Sequence, residues 1–187
     1  MKQENPAVKY GLIGAVIITS MGIILQSIVL SLLKKFVDEP YKFLSKSMVF
    51  GILSLLIIAG ILIFCIVKAI KEYRKINPEY TYRKLVAQGL IVTLIIAVLF
   101  SVISYTYNNY INTGSKEQTI ELTKRMYENM DVPDEVREEV NAKLENPTPV
   151  RDQITSMGLL LVLGMIISLI SAMLMNRRNM MPTNQLR

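Results

Sequence analysis

Few residues of this chain are of a type that does chemistry, and their absences are informative. There is no histidine, so an imidazole base, an imidazole metal ligand and a Ser-His nucleophile pair are all excluded. The one cysteine, Cys65, falls near the end of a long apolar run. Thiol–disulfide exchange needs at least a pair of cysteines in one protomer, so Cys65 reads as a small apolar filler. The carboxylates Glu135, Glu138 and Glu139 are the nearest approach to a hard-cation cluster, but a helix surface of mixed charge is expected to be solvated. No Gly-rich phosphate loop and no calcium-loop spacing is present. The expectation is a non-enzymatic chain with no cofactor and no metal; an enzyme acting on lipid would have only interfacial Lys, Arg, Glu and Asp to work with.

The polar residues that do recur are small and uncharged. Gly11, Ala15 and Thr19 repeat every fourth residue, as do Gly89, Thr93, Ala97 and Ser101, and again Gly164, Ser168 and Ala172. Such stripes let helix backbones approach closely and gain dispersion contacts. They are expected to pack helices, either within one protomer or between several. Gln26 is the most polar side chain deep in an apolar segment and is expected to hydrogen-bond to another helix.

These residues sit on four stretches without charge, at 10–33, 47–67, 85–115 and 153–176. A bilayer's hydrocarbon core is about 30 Å thick, and a helix rising about 1.5 Å per residue needs roughly 20 apolar residues to cross it. Lipid supplies no hydrogen-bond partners, so the backbone inside it must be helical or closed into a barrel. Continuous apolar runs lack the alternation of barrel strands. The fold class predicted is all-α: a polytopic four-transmembrane-helix bundle with spans at 11–33, 47–67, 89–111 and 154–175. Composition agrees, since 51% of residues are hydrophobic and only 19% charged, where soluble domains carry about a quarter charged. No polar segment is long enough for an ordinary folded domain, so 1–187 is expected to be a single membrane domain. The first span is too long for a typical signal-peptide core and is read as an uncleaved anchor. Its spans carry no titratable group besides Cys65 and tyrosines, which argues against a proton-coupled carrier with an intramembrane carboxylate.

The net charge of +6 is unevenly placed. With four spans, the N-terminal tail, the 68–88 loop and the C-terminal tail share one side. Within ten residues of a span end, that side has ten Lys and Arg against six on the other, so both termini are expected to be cytoplasmic. The basic residues at 68–84 serve this topology and offer a place for anionic lipid head groups. The partners expected are thus the bilayer itself and either a second copy or other membrane proteins, with no nucleic acid.

The loops are short except one. Pro40 prevents a helix from running through the first, and Asn77-Pro78 turns the second. Phe36, Tyr41 and Phe43, and Tyr105, Tyr107 and Tyr110, are placed as interfacial belts. The third loop, 112–153, is predicted to hold two short amphipathic helices outside the membrane. Ser115 to Gln118 has the pattern of a capping box, opening a helix over about 116–130 with Ile120, Tyr127 and Met130 near one face. Asp131 is the expected cap of the second helix, which should end before Asn146-Pro-Thr-Pro149.

The opening Asn5-Pro6-Ala7-Val8-Lys9-Tyr10-Gly11, the short first loop, the basic second loop and the acidic helical loop after Lys116-Glu-Gln-Thr-Ile120 together resemble a bacterial family of small four-span membrane proteins, the domain of unknown function 4199. The resemblance covers nearly the whole chain. It implies a bacterial inner-membrane protein with loop 112–153 in the periplasm, and it carries over no catalytic or binding residue. The functional expectation is an accessory, scaffold or regulatory subunit of a membrane assembly, with Ile120, Tyr127 and Met130 as the partner contact. The other expectation is an oligomeric pore or carrier for an uncharged small solute.

Overall fold

A computed structural model describes residues 5–130, 132–145 and 149–177. Among them all regular structure is helical, in the order α1 (Pro6–Phe36), α2 (Pro40–Ile76), α3 (Tyr82–Thr106), a π turn (Tyr107–Ile111), α4 (Thr113–Glu128), α5 (Asp134–Glu145) and α6 (Pro149–Arg177). Four helical stretches are long and apolar enough to cross a membrane: α1, α2, α3 with the π turn, and 153–176 of α6. The chain is a four-span helical bundle with two shorter helices between the third and fourth spans.

Helix starts follow the local chemistry. Asn5 caps α1, its Oδ1 accepting from the Ala7 N–H at 3.0 Å, and Pro6 occupies the first helical position, where its missing N–H costs nothing. Pro40 and Pro149 likewise open α2 and α6. The α1–α2 connection is only three residues long. α2 stops where Asn77 donates twice to the Tyr73 carbonyl, from its backbone at 3.0 Å and its side chain at 3.2 Å, ahead of Pro78. Asp134 and Glu135 stand in the first turn of α5 and Lys143 in its last, each complementing the helix dipole.

One start corrects the sequence reading. α4 begins at Thr113, so Ser115 lies inside the helix and caps nothing; Asn112 is the residue ahead of it and makes no side-chain cap. The reason is the wide turn that precedes it. The Asn112 N–H still donates to the Tyr107 carbonyl at 2.8 Å, so the chain leaves helical geometry for one residue only. Asp131, the expected cap of the next helix, lies outside the described residues; the Pro133 carbonyl accepts from Val136 and Arg137 at that helix's start.

The contacts divide the chain into two compact units. The first combines α1 as far as Ile18, residues 58–101 of α2 and α3, and α6 from Thr155. Its core is fully buried: Ile18, Leu62, Cys65, Ile66, Ile70, Leu85, Val92 and Ile96, closed by Ala7, Ala172 and Met175. Glycines set the spacing. A Cβ on Gly11 would fall 2.9 Å from Ile95, and one on Gly14 would fall 2.6 Å from Ile96 and 3.1 Å from the Cys65 sulfur.

The second unit combines 19–57 and 102–154. Met126 of α4 is buried against Leu33, Phe36, Val37 and Phe43 at the α1–α2 turn, with Leu122 and Tyr127 packed on the margin. Arg125 reaches Asp38 at 3.2 Å, and the Asn129 amide donates to the Val37 carbonyl at 3.4 Å and to Asp38 at 3.3 Å. Lys124 pairs with Glu145 at 2.8 Å, tying α5 to α4. Removing a large apolar side chain from water contributes roughly 1.5–3 kcal/mol, far more than exposed ion pairs, so Met126 and its neighbours hold α4 down.

Candidate functional site

A concavity lies beyond the apolar part of α2, in the first unit. α2 continues as a helix past Val67 to Ile76. Lys68, Lys71 and Lys75 follow helical spacing and are exposed on one side of it, while Ala69 and Ile70 are buried on the other. With Arg74, Pro78 and Tyr80 they line a notch of about 670 Å³, whose far wall is Tyr10 of α1. The Arg74 guanidinium sits 4.8 Å from the centre of the Tyr80 ring, a cation–π contact that fixes the loop wall against the helix.

Among the described residues Glu72 is the one carboxylate in the lining, and it is engaged. The Lys9 ammonium donates to both its oxygens, at 3.2 and 3.3 Å. The notch therefore presents four cations against one spoken-for anion. The segment that carries the family resemblance supplies Tyr10 to its far wall: Asn5 caps the helix, Ala7 is buried in the core, Lys9 binds Glu72, and Gly11 lets α1 close on Ile95.

The small-residue stripes meet in pairs. Gly89 of α3 faces Ser168 of α6, a Cβ on the glycine falling 2.5 Å from the serine Oγ, and Gly164 of α6 faces Thr93 of α3. Each hydroxyl satisfies itself one turn back on its own helix, Thr93 on the Gly89 carbonyl at 3.0 Å and Ser168 on the Gly164 carbonyl at 2.6 Å. Gly11, Ala15, Thr19, Ala97, Ser101 and Ala172 are all buried. Gln26 is half-buried, and no cross-helix hydrogen bond from it is found among the described residues. Ile120, Tyr127 and Met130 are half-buried; of these Tyr127 lies against the Met126 cluster.

Two features escaped sequence reading. Gln88, only 8% exposed, is buried on α3 with its Oε1 unpaired among the described residues; it lies one residue outside the expected span, so its polarity drew no notice. Tyr10 and Glu72 come from different helices, and only packing joins them. Outside the membrane, Glu139 pairs with Lys143 at 2.6 Å and Asp134 with Arg137 at 3.1 Å, and among the described residues no three of Cys, Asp and Glu converge as metal ligands.

Four membrane-crossing helices, with no regular structure among the described residues other than helix, define an integral membrane protein of the helical-bundle class. The chain belongs to the DUF4199 family of proteins of unknown function, whose pattern it matches over residues 9–177. No curated protein and no solved structure matches it.

Proposed function

We propose that the protein is a non-enzymatic accessory or scaffold subunit of a larger assembly in a bacterial inner membrane, with its termini in the cytoplasm and 112–153 in the periplasm. The observation that supports this is the state of the helices in the second unit. Along 20–32 of α1 and 44–57 of α2 no side chain is buried, although both are strongly apolar. Met48, Val49, Leu55 and Leu56 of α2 are each more than 60% exposed, and Cβ positions on Gly51 and Gly60 open onto empty space. In lipid there is no hydrophobic drive to close such a surface, and helices associate through close dispersion contacts instead. An open, glycine-bearing helix face suits a neighbouring transmembrane helix.

The test is affinity purification from native membranes in mild detergent after brief crosslinking, comparing wild type with Gly51→Phe and Ile120→Glu. A stoichiometric membrane partner whose recovery falls about tenfold in Gly51→Phe, at unchanged yield of the chain, is the expected result. Recovery of this chain alone as a defined oligomer overturns it and favours an oligomeric pore or carrier, to be tested by solute flux in liposomes.

A further inference from the structure

We propose that the notch between Tyr10, the end of α2 and the Pro78–Tyr80 loop is a binding site for the phosphate-bearing head group of an anionic phospholipid. This is independent of the accessory-subunit reading and holds whether or not the chain has a protein partner. Charge is the first argument. Lys68, Lys71, Arg74 and Lys75 converge on one concavity, and Glu72, the single carboxylate among the described residues lining it, is already bridged to Lys9. Among the described residues no carboxylate lies within ion-pair distance of Lys68, Lys71 or Lys75, so none of the described residues forms a salt bridge with these three lysines.

Shape is the second argument. Basic residues that only set topology need no cavity, yet here they line a volume of about 670 Å³, within the 300–1,000 Å³ range of small-molecule sites. Its walls are fixed rather than pliant. Arg74 is stacked on Tyr80, and the Lys9–Glu72 bridge joins α1 to α2.

Position decides between a lipid and a soluble phosphate. Lys68 is the first charged residue after the apolar run of α2, and its ammonium lies 5.6 Å from the Phe64 ring. Ile63 and Phe64, a turn deeper, are about half exposed. A ligand with its phosphate among the lysines has an apolar surface directly below for an acyl chain. Only a lipid uses both.

The experiment is native mass spectrometry of the full-length protein in a neutral detergent, offered phosphatidylglycerol and phosphatidylcholine together at equal concentration. One phosphatidylglycerol is expected to be retained about tenfold in preference to phosphatidylcholine. The variant carrying Lys71→Gln and Lys75→Gln should lose most of that preference, since each basic side chain near an anionic surface contributes severalfold to binding. Lys143→Gln on α5 should leave it unchanged. All three lysines are exposed, so circular dichroism of the variants should match wild type. Equal retention of the two lipids, or undiminished preference in the double variant, overturns the site. Glycerol 3-phosphate in about hundredfold excess should leave the lipid bound; its displacement of the lipid would overturn the lipid as ligand in favour of a soluble phosphate ester.

Discussion

Gly164 and Thr93 face each other so closely that a single methyl group on the glycine would occupy the space of the threonine side chain. The reciprocal pair, Gly89 and Ser168, repeats the arrangement one turn away on each helix. α3 and α6 are therefore in register through two glycines, each answered by a small hydroxyl residue on the other helix. Because Thr93 and Ser168 bond back to their own helices, the contact depends on shape rather than on a hydrogen bond between helices.

Gly164→Ala should accordingly destabilise the bundle by about 1–3 kcal/mol, the usual range for overpacking. Gly60→Ala, whose Cβ meets nothing, should be neutral or slightly stabilising, because alanine is the better helix former. Thermal unfolding of the two purified variants in detergent checks the contrast, and equal loss in both would refute the register.

Met126 anchors α4 on the α1–α2 turn. Met126→Ala should cost about 2 kcal/mol or more of local stability. Hydrogen exchange over 113–128 should quicken more than tenfold while the first core, around Ile66 and Ile96, keeps its protection. Ile120→Ala, at a half-buried position, should have a much smaller effect on the same peptides.

The Lys124 ammonium donates to Glu145 and holds its carboxyl below the usual glutamate value, with their charge attraction adding to the effect. A lowered pKa means the pair's contribution is complete above the ordinary value of about 4.3 and fades as the pH falls through the lowered one. NMR titration of glutamate carboxyl carbons should show Glu145 titrating below the solvated glutamates. Lys124→Gln should return it to their range.

Orientation is open to direct labelling. In a Cys65→Ala background, Glu135→Cys should react with a membrane-impermeant maleimide on intact cells. Glu79→Cys should react only after the membrane is opened. The reverse pattern would invert the proposed topology. Cys65 itself, fully buried in the first core, should resist alkylation until the protein is denatured.

The spans were legible because lipid tolerates so few residue types: an unbroken uncharged run admits one interpretation, and each expected span lies inside a helical stretch. The break at Pro40 was equally plain, since a proline ring acts locally. The start of α4 was not, because the capping pattern at Ser115 competes with a π turn that delivers the chain into helix three residues sooner. Stripes at Gly89 and Gly164 revealed which faces pack but not which partner each meets. The notch was hidden for a related reason. Its cations lie close together on one stretch of the sequence, but Tyr10 and the Lys9–Glu72 bridge depend on contacts between residues more than sixty positions apart.

Ala7, from the first turns of α1, and Ala172 and Met175, from the end of α6, share one core. Synthesis makes the first long before the others, so the core stays incomplete until the sixth helix leaves the ribosome and enters the bilayer. Until then Leu62, Ile66 and Val92 lack part of their final surroundings and must be sheltered by lipid or by the insertion machinery. A chain cut short after α5 would retain three spans yet never close this core. Quality control could recognise such a chain by the gap beside Gly89 and Thr93.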